Sequence, residues 1–164
     1  MSLRVLLVGG SSNLLNGNDG FLIDSYDKVV RFNGGIPAGH ERQLGSRTDY
    51  WSFSTKFADQ YNRWKITGAV PMLLNMRIEY PITPANAIYN DAENYKQLRD
   101  TYKHPRPSTG LVTAHYIAKK WACDLYCIGF DFFESETWYT GPPAGVHSGQ
   151  LEREYMESLG VTIL

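Results

Sequence analysis

The stretch L-R-V-L-L-V-G-G-S-S-N, residues 3–13, decides the fold class. A short run of branched apolar residues ending at paired glycines is the pattern of a buried strand that enters a tight polar loop. Further along the chain the pattern repeats with helical segments between. K-V-V-R-F at 28–32 reads as a second strand, 49–53 as a third, 70–75 as a fourth and D-L-Y-C-I-G at 124–129 as another. Residues 161–164 can add a last one. Between them, 21–26 reads as a short helix or turn, and 56–65, 92–102, 108–121 and 148–159 read as helices, with Gly160 closing the last of these as a C′ residue. Prolines at 81 and 84 interrupt regular structure. Strands alternating with helices predict a three-layer α/β sandwich with a mostly parallel central sheet.

Length and composition fit one such unit, a single domain over 1–164. A chain of 164 residues buries about 70% of its unfolded surface and needs no disulfide or metal staple. With 43% hydrophobic and 20% charged residues it has ordinary globular composition. Sixteen Lys and Arg against 17 Asp and Glu give a net charge of -1, which supplies no general grip on nucleic acid or an anionic membrane and leaves only a local basic patch open. No apolar run approaches the roughly 20 residues of a transmembrane helix, and the run at 5–8 is short for a signal-peptide core. The scattered Tyr and Trp residues form no RNA-recognition pattern. Two cysteines, Cys123 and Cys127, are too few for a disulfide scaffold; four apart on one strand, they share a face and read as core.

Ligands of parallel α/β sheets bind beyond the carboxyl ends of the strands, and three loops there carry suitable chemistry. In Gly9-Gly10-Ser11-Ser12-Asn13 the glycines admit a ligand close to the backbone, and the short polar side chains contact it. The loop is neither a dinucleotide fingerprint nor a P-loop, and a plain strand-ending turn explains it equally well. Pro107-Ser108-Thr109-Gly110 opens a helix whose free N–H groups suit a phosphate or carboxylate; Ser108 also reads as an ordinary N-cap. His147, just before the last helix, has the chemistry of a general base near neutral pH, and equally that of a surface histidine. Glu152, in that helix's first turn, suits the helix dipole. His40, His104 and His115 have no metal-ligand spacing, and no metal site is expected.

Taken in order, these loops resemble the animal-type sialyltransferases of glycosyltransferase family 29. V-G-G-S-S-N-L, I-D-S-Y-D-K-V-V-R-F-N and G-H-E-R-Q-L-G-S-R-T, within 5–48, are similar to the family's large motif. R-P-S-T-G-L-V-T-A-H and C-D-L-Y-C-I-G-F, within 106–130, are similar to its small motif. His147 and Glu152, four residues between them, match its very small motif. The resemblance implies a Rossmann-like fold of the GT-A-variant type and a CMP-sialic acid donor, or a related CMP-activated acidic sugar. It implies inverting transfer to a glycan acceptor hydroxyl without a metal or other cofactor. By position, Gly9, Ser11, Ser12, Asn13 and Asn33 line the nucleotide site, Ser108, Thr109 and Gly110 contact the donor, and His147 is the base.

The departures from the family pattern carry expectations of their own. Gly10 stands where the family commonly has Asn. The third motif's histidine, which assists the departing phosphate, has no counterpart in 136–140, where Tyr139 is the residue able to take part of that role. Val5 and Cys123 occupy the two positions of the animal enzymes' disulfide; its loss implies a reducing, cytoplasmic setting and a microbial source. The short chain implies reduced lid and acceptor-binding elements. A catalytically impaired CMP-sugar-binding module and a CMP-sugar hydrolase are the alternatives to a transferase. Acceptor, linkage and oligomeric state are left open.

Overall fold

The computed structural model describes residues 1–143 and 145–164. Seven strands form one sheet: β1 (Leu3–Val8), β2 (Lys28–Phe32), β3 (Tyr50–Ser52), β4 (Val70–Leu73), β5 (Ile88–Tyr89), β6 (Cys123–Ile128) and β7 (Thr162–Ile163). Their order is β5-β4-β3-β2-β1-β6-β7, and all neighbours are parallel. The chain moves outward from β1 to β5, then crosses back to lay β6 on the other side of β1. The order therefore reverses between β1 and β6, where the two carboxyl ends diverge and leave a crevice.

Alternation along β1 builds the three layers. Val5 and Leu7 face one layer, with Val30, Met72, Leu98, Leu111, Ile117 and Met156. That layer contains α4 (Ala92–Thr101), α5 (Thr109–Lys120) and α6 (Gly149–Ser158). Leu6 and Val8 face the opposite layer, with Ile23, Val29 and Leu44, where α1 (Gly20–Asp24) and α2 (Glu41–Leu44) lie. Val5, Leu6 and Leu7 are fully buried, each side chain contributing about 1.5–3 kcal/mol. Beside β3, Trp51 stacks on Phe53 and on Trp64 of α3 (Tyr61–Ile66), while the intervening Ser52 turns to the other face and shares a 2.7 Å hydrogen bond with Thr113 of α5.

Most expected elements are present. The 56–65 segment differs: it starts as a 3-10 helix, Thr55–Gln60, and becomes α-helical only from Tyr61, because packing of Phe57 and Ala58 against the tryptophan cluster sets its path. The single turn of α2, the 3-10 helix Ser12–Asn16 and the two-residue β5 are too short to leave a periodic pattern. Gly160 has φ 79° and ends α6 as expected, with the Val161 N–H returning to the Met156 carbonyl at 3.1 Å. Cys127 is buried and Cys123 half-buried, both unbridged. Cys123 is in register with Leu3 and Val5 with Leu125, so Cys123 and Val5 are diagonal neighbours on adjacent strands. Among the described residues no helix is long and apolar enough to cross a membrane.

Candidate functional site

A cleft of about 380 Å³ opens at the β1/β6 reversal, within the usual range for a small-molecule site. Its floor is the β1 loop, its sides are the ends of β2 and β6 and the start of α5, and the chain after β6 wraps its rim. Gly9, Ser11, Asn33, Ser108, Thr109, Gly110, Tyr139 and His147 all line it. Ser12 and Asn13, expected there, do not. The chain turns into the 3-10 helix at Ser12, so the Ser12 N–H reaches the Glu136 carbonyl at 2.8 Å and Asn13 is exposed. Asn13 contributes instead through its backbone N–H, which Ser11 Oγ caps at 3.2 Å.

Ser11 is tied down. Its hydroxyl donates to Asp131 Oδ2 at 3.0 Å, and Ser135 donates its hydroxyl and its N–H to the same oxygen. This network fastens the segment after β6 to the β1 loop. Backbone bonds continue the attachment, with the Trp138 N–H on the Gly10 carbonyl at 3.0 Å. Asp131, Ser135, Glu136 and Thr137, with Phe130, Phe132 and Phe133, complete the cleft wall. The sequence signal for them was their place directly after the carboxyl end of β6, where a switch-point fold puts ligand-facing residues.

Asn33 ends β2 with φ 49°, a left-handed conformation that Asn tolerates better than most residues. Its carbonyl accepts the indole N–H groups of Trp51 and Trp64, at 2.8 and 2.9 Å, and its Oδ1 accepts the Ser54 N–H at 2.9 Å. Burial pushes the nearby Tyr139 phenol up to about 12, against the pull of the Asn33 side chain. Tyr139 therefore stays protonated and remains a donor at neutral pH. The Tyr139 ring lies edge-on to Phe57 and Trp138 and close over Gly10. A Cβ at Gly10 would stand 2.8 Å from Thr137 Cγ2 and 3.1 Å from Tyr139 Cε1. A side chain at this position would meet Thr137 and Tyr139.

At the start of α5, Ser108 is the N-cap, its Oγ accepting the Leu111 N–H at 3.1 Å. The Ser108 hydroxyl in turn donates to Glu152 Oε2 at 2.5 Å, and its N–H donates to Oε1 at 2.7 Å. Ser108 is therefore committed within the protein. Among the described residues the N–H groups left free at this helix end are those of Thr109 and Gly110. Glu152, in the first turn of α6 where its carboxylate suits the helix dipole, is buried as well: it is 2% exposed. Burial pushes its carboxyl up to about 7, against the pull of the two Ser108 donors.

His147 is half-buried, with its ring stacked on Phe133 at 5.2 Å. Its Nδ1 lies 2.8 Å from the Arg106 carbonyl. A carbonyl only accepts, so Nδ1 carries the proton and Nε2 of the neutral ring is the free base. His115, by contrast, is fully buried, with both nitrogens satisfied by Tyr155 Oη and the Asn94 carbonyl; burial lowers its pKa. Burial also raises both thiols, Cys127 to about 12, as befits core residues.

Fold and cleft define an α/β protein with a candidate ligand site at its topological switch point. Comparison with known proteins adds to this: residues 4–77 match the model of glycosyltransferase family 29 (sialyltransferase), the family that the motifs resemble. Over 50 residues it is 42% identical to a mouse type 2 lactosamine alpha-2,3-sialyltransferase, a match covering 30% of this chain and 15% of that protein. Over 48 residues it is 42% identical to a mouse alpha-N-acetylgalactosaminide alpha-2,6-sialyltransferase 2, covering 29% of this chain and 13% of that one. The matched stretch is thus a small part of each relative's length. The fold extends further: a mammalian sialyltransferase crystallised with Gal-beta-1-3GalNAc-ortho-nitrophenol superposes with a TM-score of 0.68 at 20% identity, over 99% of this chain and 69% of that one.

Proposed function

We propose that this chain transfers sialic acid, or a related acidic sugar, from a CMP donor to an acceptor hydroxyl, with inversion and with His147 as general base. The observation that carries the reading is the 2.8 Å bond from His147 Nδ1 to the Arg106 carbonyl, at the edge of a cleft that also holds two free helix N–H groups. His147 Nε2 takes the proton of the acceptor hydroxyl as its oxygen bonds to the anomeric carbon. The bond from that carbon to the CMP phosphate oxygen breaks on the opposite face, and its electron pair leaves with the phosphate. The Thr109 and Gly110 N–H groups and the α5 dipole suit the charge that develops there. Tyr139, kept protonated, is the residue placed to donate where the family uses a histidine. A monophosphate leaving group carries less charge than a diphosphate, so these donors serve without a metal.

The lack of a histidine in 136–140 favours a second reading, a CMP-sugar-binding domain without transfer; a hydrolase releasing the sugar to water is the third. Calorimetry with CMP tests the common ground, and absence of binding at millimolar CMP would reject all three. Incubation with CMP-sialic acid, with and without a galactoside, then separates them: a sialylated product supports transfer, free sialic acid alone supports hydrolysis, and unchanged donor leaves binding only.

A further inference from the structure

The near-neutral net charge hides a local concentration of cations beside the cleft. The Pro105 carbonyl accepts from two guanidinium groups at once, Arg77 Nη1 and, at 2.9 Å, Arg99 Nη1. Two cations bonded to one oxygen lie within about 6 Å of each other, where they repel unless an anion joins them. Arg106, the next residue, is exposed, and its N–H donates to His104 Nδ1 at 3.2 Å, which leaves the His104 ring proton on Nε2 as a further donor. Among the described residues no carboxylate forms an ion pair with Arg77, Arg99 or Arg106. Asp100, the acid of this stretch, is held by Lys96 at 2.5 Å.

The cluster's position gives it meaning. Asn75 and Pro107, which flank Arg77 and Arg106 in the chain, line the cleft, and the Arg106 carbonyl anchors His147. The cations thus adjoin, in the chain, residues that line the cleft and the carbonyl that orients the proposed base. We propose that Arg77, Arg99 and Arg106 form a rim subsite for an anionic group on the acceptor, so that the preferred acceptor is an acidic glycan bearing a sulfate or a sugar carboxylate. The assignment to the acceptor side rests on His147 as the base; the anion subsite itself does not.

Binding of three free glycans, read by NMR titration in the absence of donor, tests it whether or not the protein turns over: a neutral galactoside, its sulfated form and its sialylated form. At low salt the acidic glycans should bind about tenfold more tightly than the neutral one, and the preference should fade toward unity in about 0.5 M salt. Preference for one acidic form over the other identifies which anion the rim takes. The Arg77→Gln/Arg99→Gln double variant should lose most of the preference. Arg106→Gln, whose side chain makes no hydrogen bond among the described residues, should lose about half of it, which keeps the test open if the double variant is misfolded. Wild-type protein without a preference, or variants that keep it, would overturn the proposal. So would binding to phosphatidylserine vesicles with no discrimination among the glycans. Loss of CMP binding with the glycan preference intact would instead remove the transferase reading and leave the subsite.

Discussion

Glu152 holds Ser108 by two bonds, Oε1 on the backbone N–H at 2.7 Å and Oε2 on the hydroxyl at 2.5 Å. The pair joins two segments 44 residues apart in sequence: the loop that starts α5 and the helix that follows His147. The N–H groups suited to a phosphate and the histidine proposed as base are therefore held at a fixed separation by one buried carboxylate. Ser108→Ala would leave Glu152 Oε2 buried without its donor, and Glu152→Ala would leave the Ser108 N–H and hydroxyl without their acceptor, each of which is costly.

The elevated Glu152 carboxyl makes stability pH-dependent. Its pKa is about 7 in the folded chain against an ordinary 4.5, so between these values the folded state holds a proton that the unfolded state has lost. Stability contributed by this group is then greatest below about 4.5, falls as pH rises toward 7 and is level above, by up to about 3 kcal/mol. Glu152→Gln removes the titration and keeps the shape. Urea denaturation of both forms from pH 5 to 8 should show the wild type losing stability relative to the variant; parallel curves would refute the assignment.

The large features were readable because they rest on local pattern. Apolar runs at 3–10, 28–32 and 124–129 marked strands, and Ser108 after two prolines marked a helix start. What could not be read were contacts set by the crossover of β6 to the far side of β1. Ser11 meets Asp131 and Ser135 only because that crossover brings their segments together. Ser12 and Asn13 looked equivalent to Ser11 in the chain, yet a single 3-10 turn carries them out of the cleft. Burial of Glu152 was likewise hidden, since a first-turn acid normally faces water.

The contact between Gly10 and the Tyr139 segment predicts an asymmetry between adjacent glycines. A Cβ on Gly10 meets side chains, Thr137 and Tyr139, whereas one on Gly9 would lie 2.3 Å from the Gly129 carbonyl oxygen. Gly10→Ala should cost about 1–3 kcal/mol, and much of this should return when Thr137→Ser is added, because the clashing Cγ2 is removed. Gly9→Ala should be more damaging, with no rescue from that change. A double-mutant cycle measured by thermal unfolding decides the point; additive costs at Gly10 and Thr137 would contradict the packing.

Asn33 should be needed for folding as well as for the cleft. Replacement by Ala puts a side chain without a compensating polar group at φ 49° and removes the acceptor for Ser54. Together these cost about 2 kcal/mol. Asn33→Gly relieves the backbone and should cost about half as much. Since the Asn33 carbonyl holds Trp51 and Trp64, their fluorescence in guanidinium titrations reports the loss directly, and an Ala variant as stable as wild type would rule the role out.

His147→Asn separates orientation from base chemistry. The Asn Nδ2 can take over donation to the Arg106 carbonyl, now made by the imidazole at 2.8 Å, but an amide has no basic nitrogen to accept the acceptor's proton. If His147 is the base, kcat for sialyl transfer should fall about 10²–10⁴-fold, while CMP affinity by calorimetry stays within about twofold, because the Thr109 and Gly110 N–H groups are untouched. A merely structural His147 would be rescued by Asn, giving near-wild-type turnover. Equal loss of CMP binding and turnover would instead mean that His147 holds the donor, and the base would have to be sought elsewhere along the cleft wall.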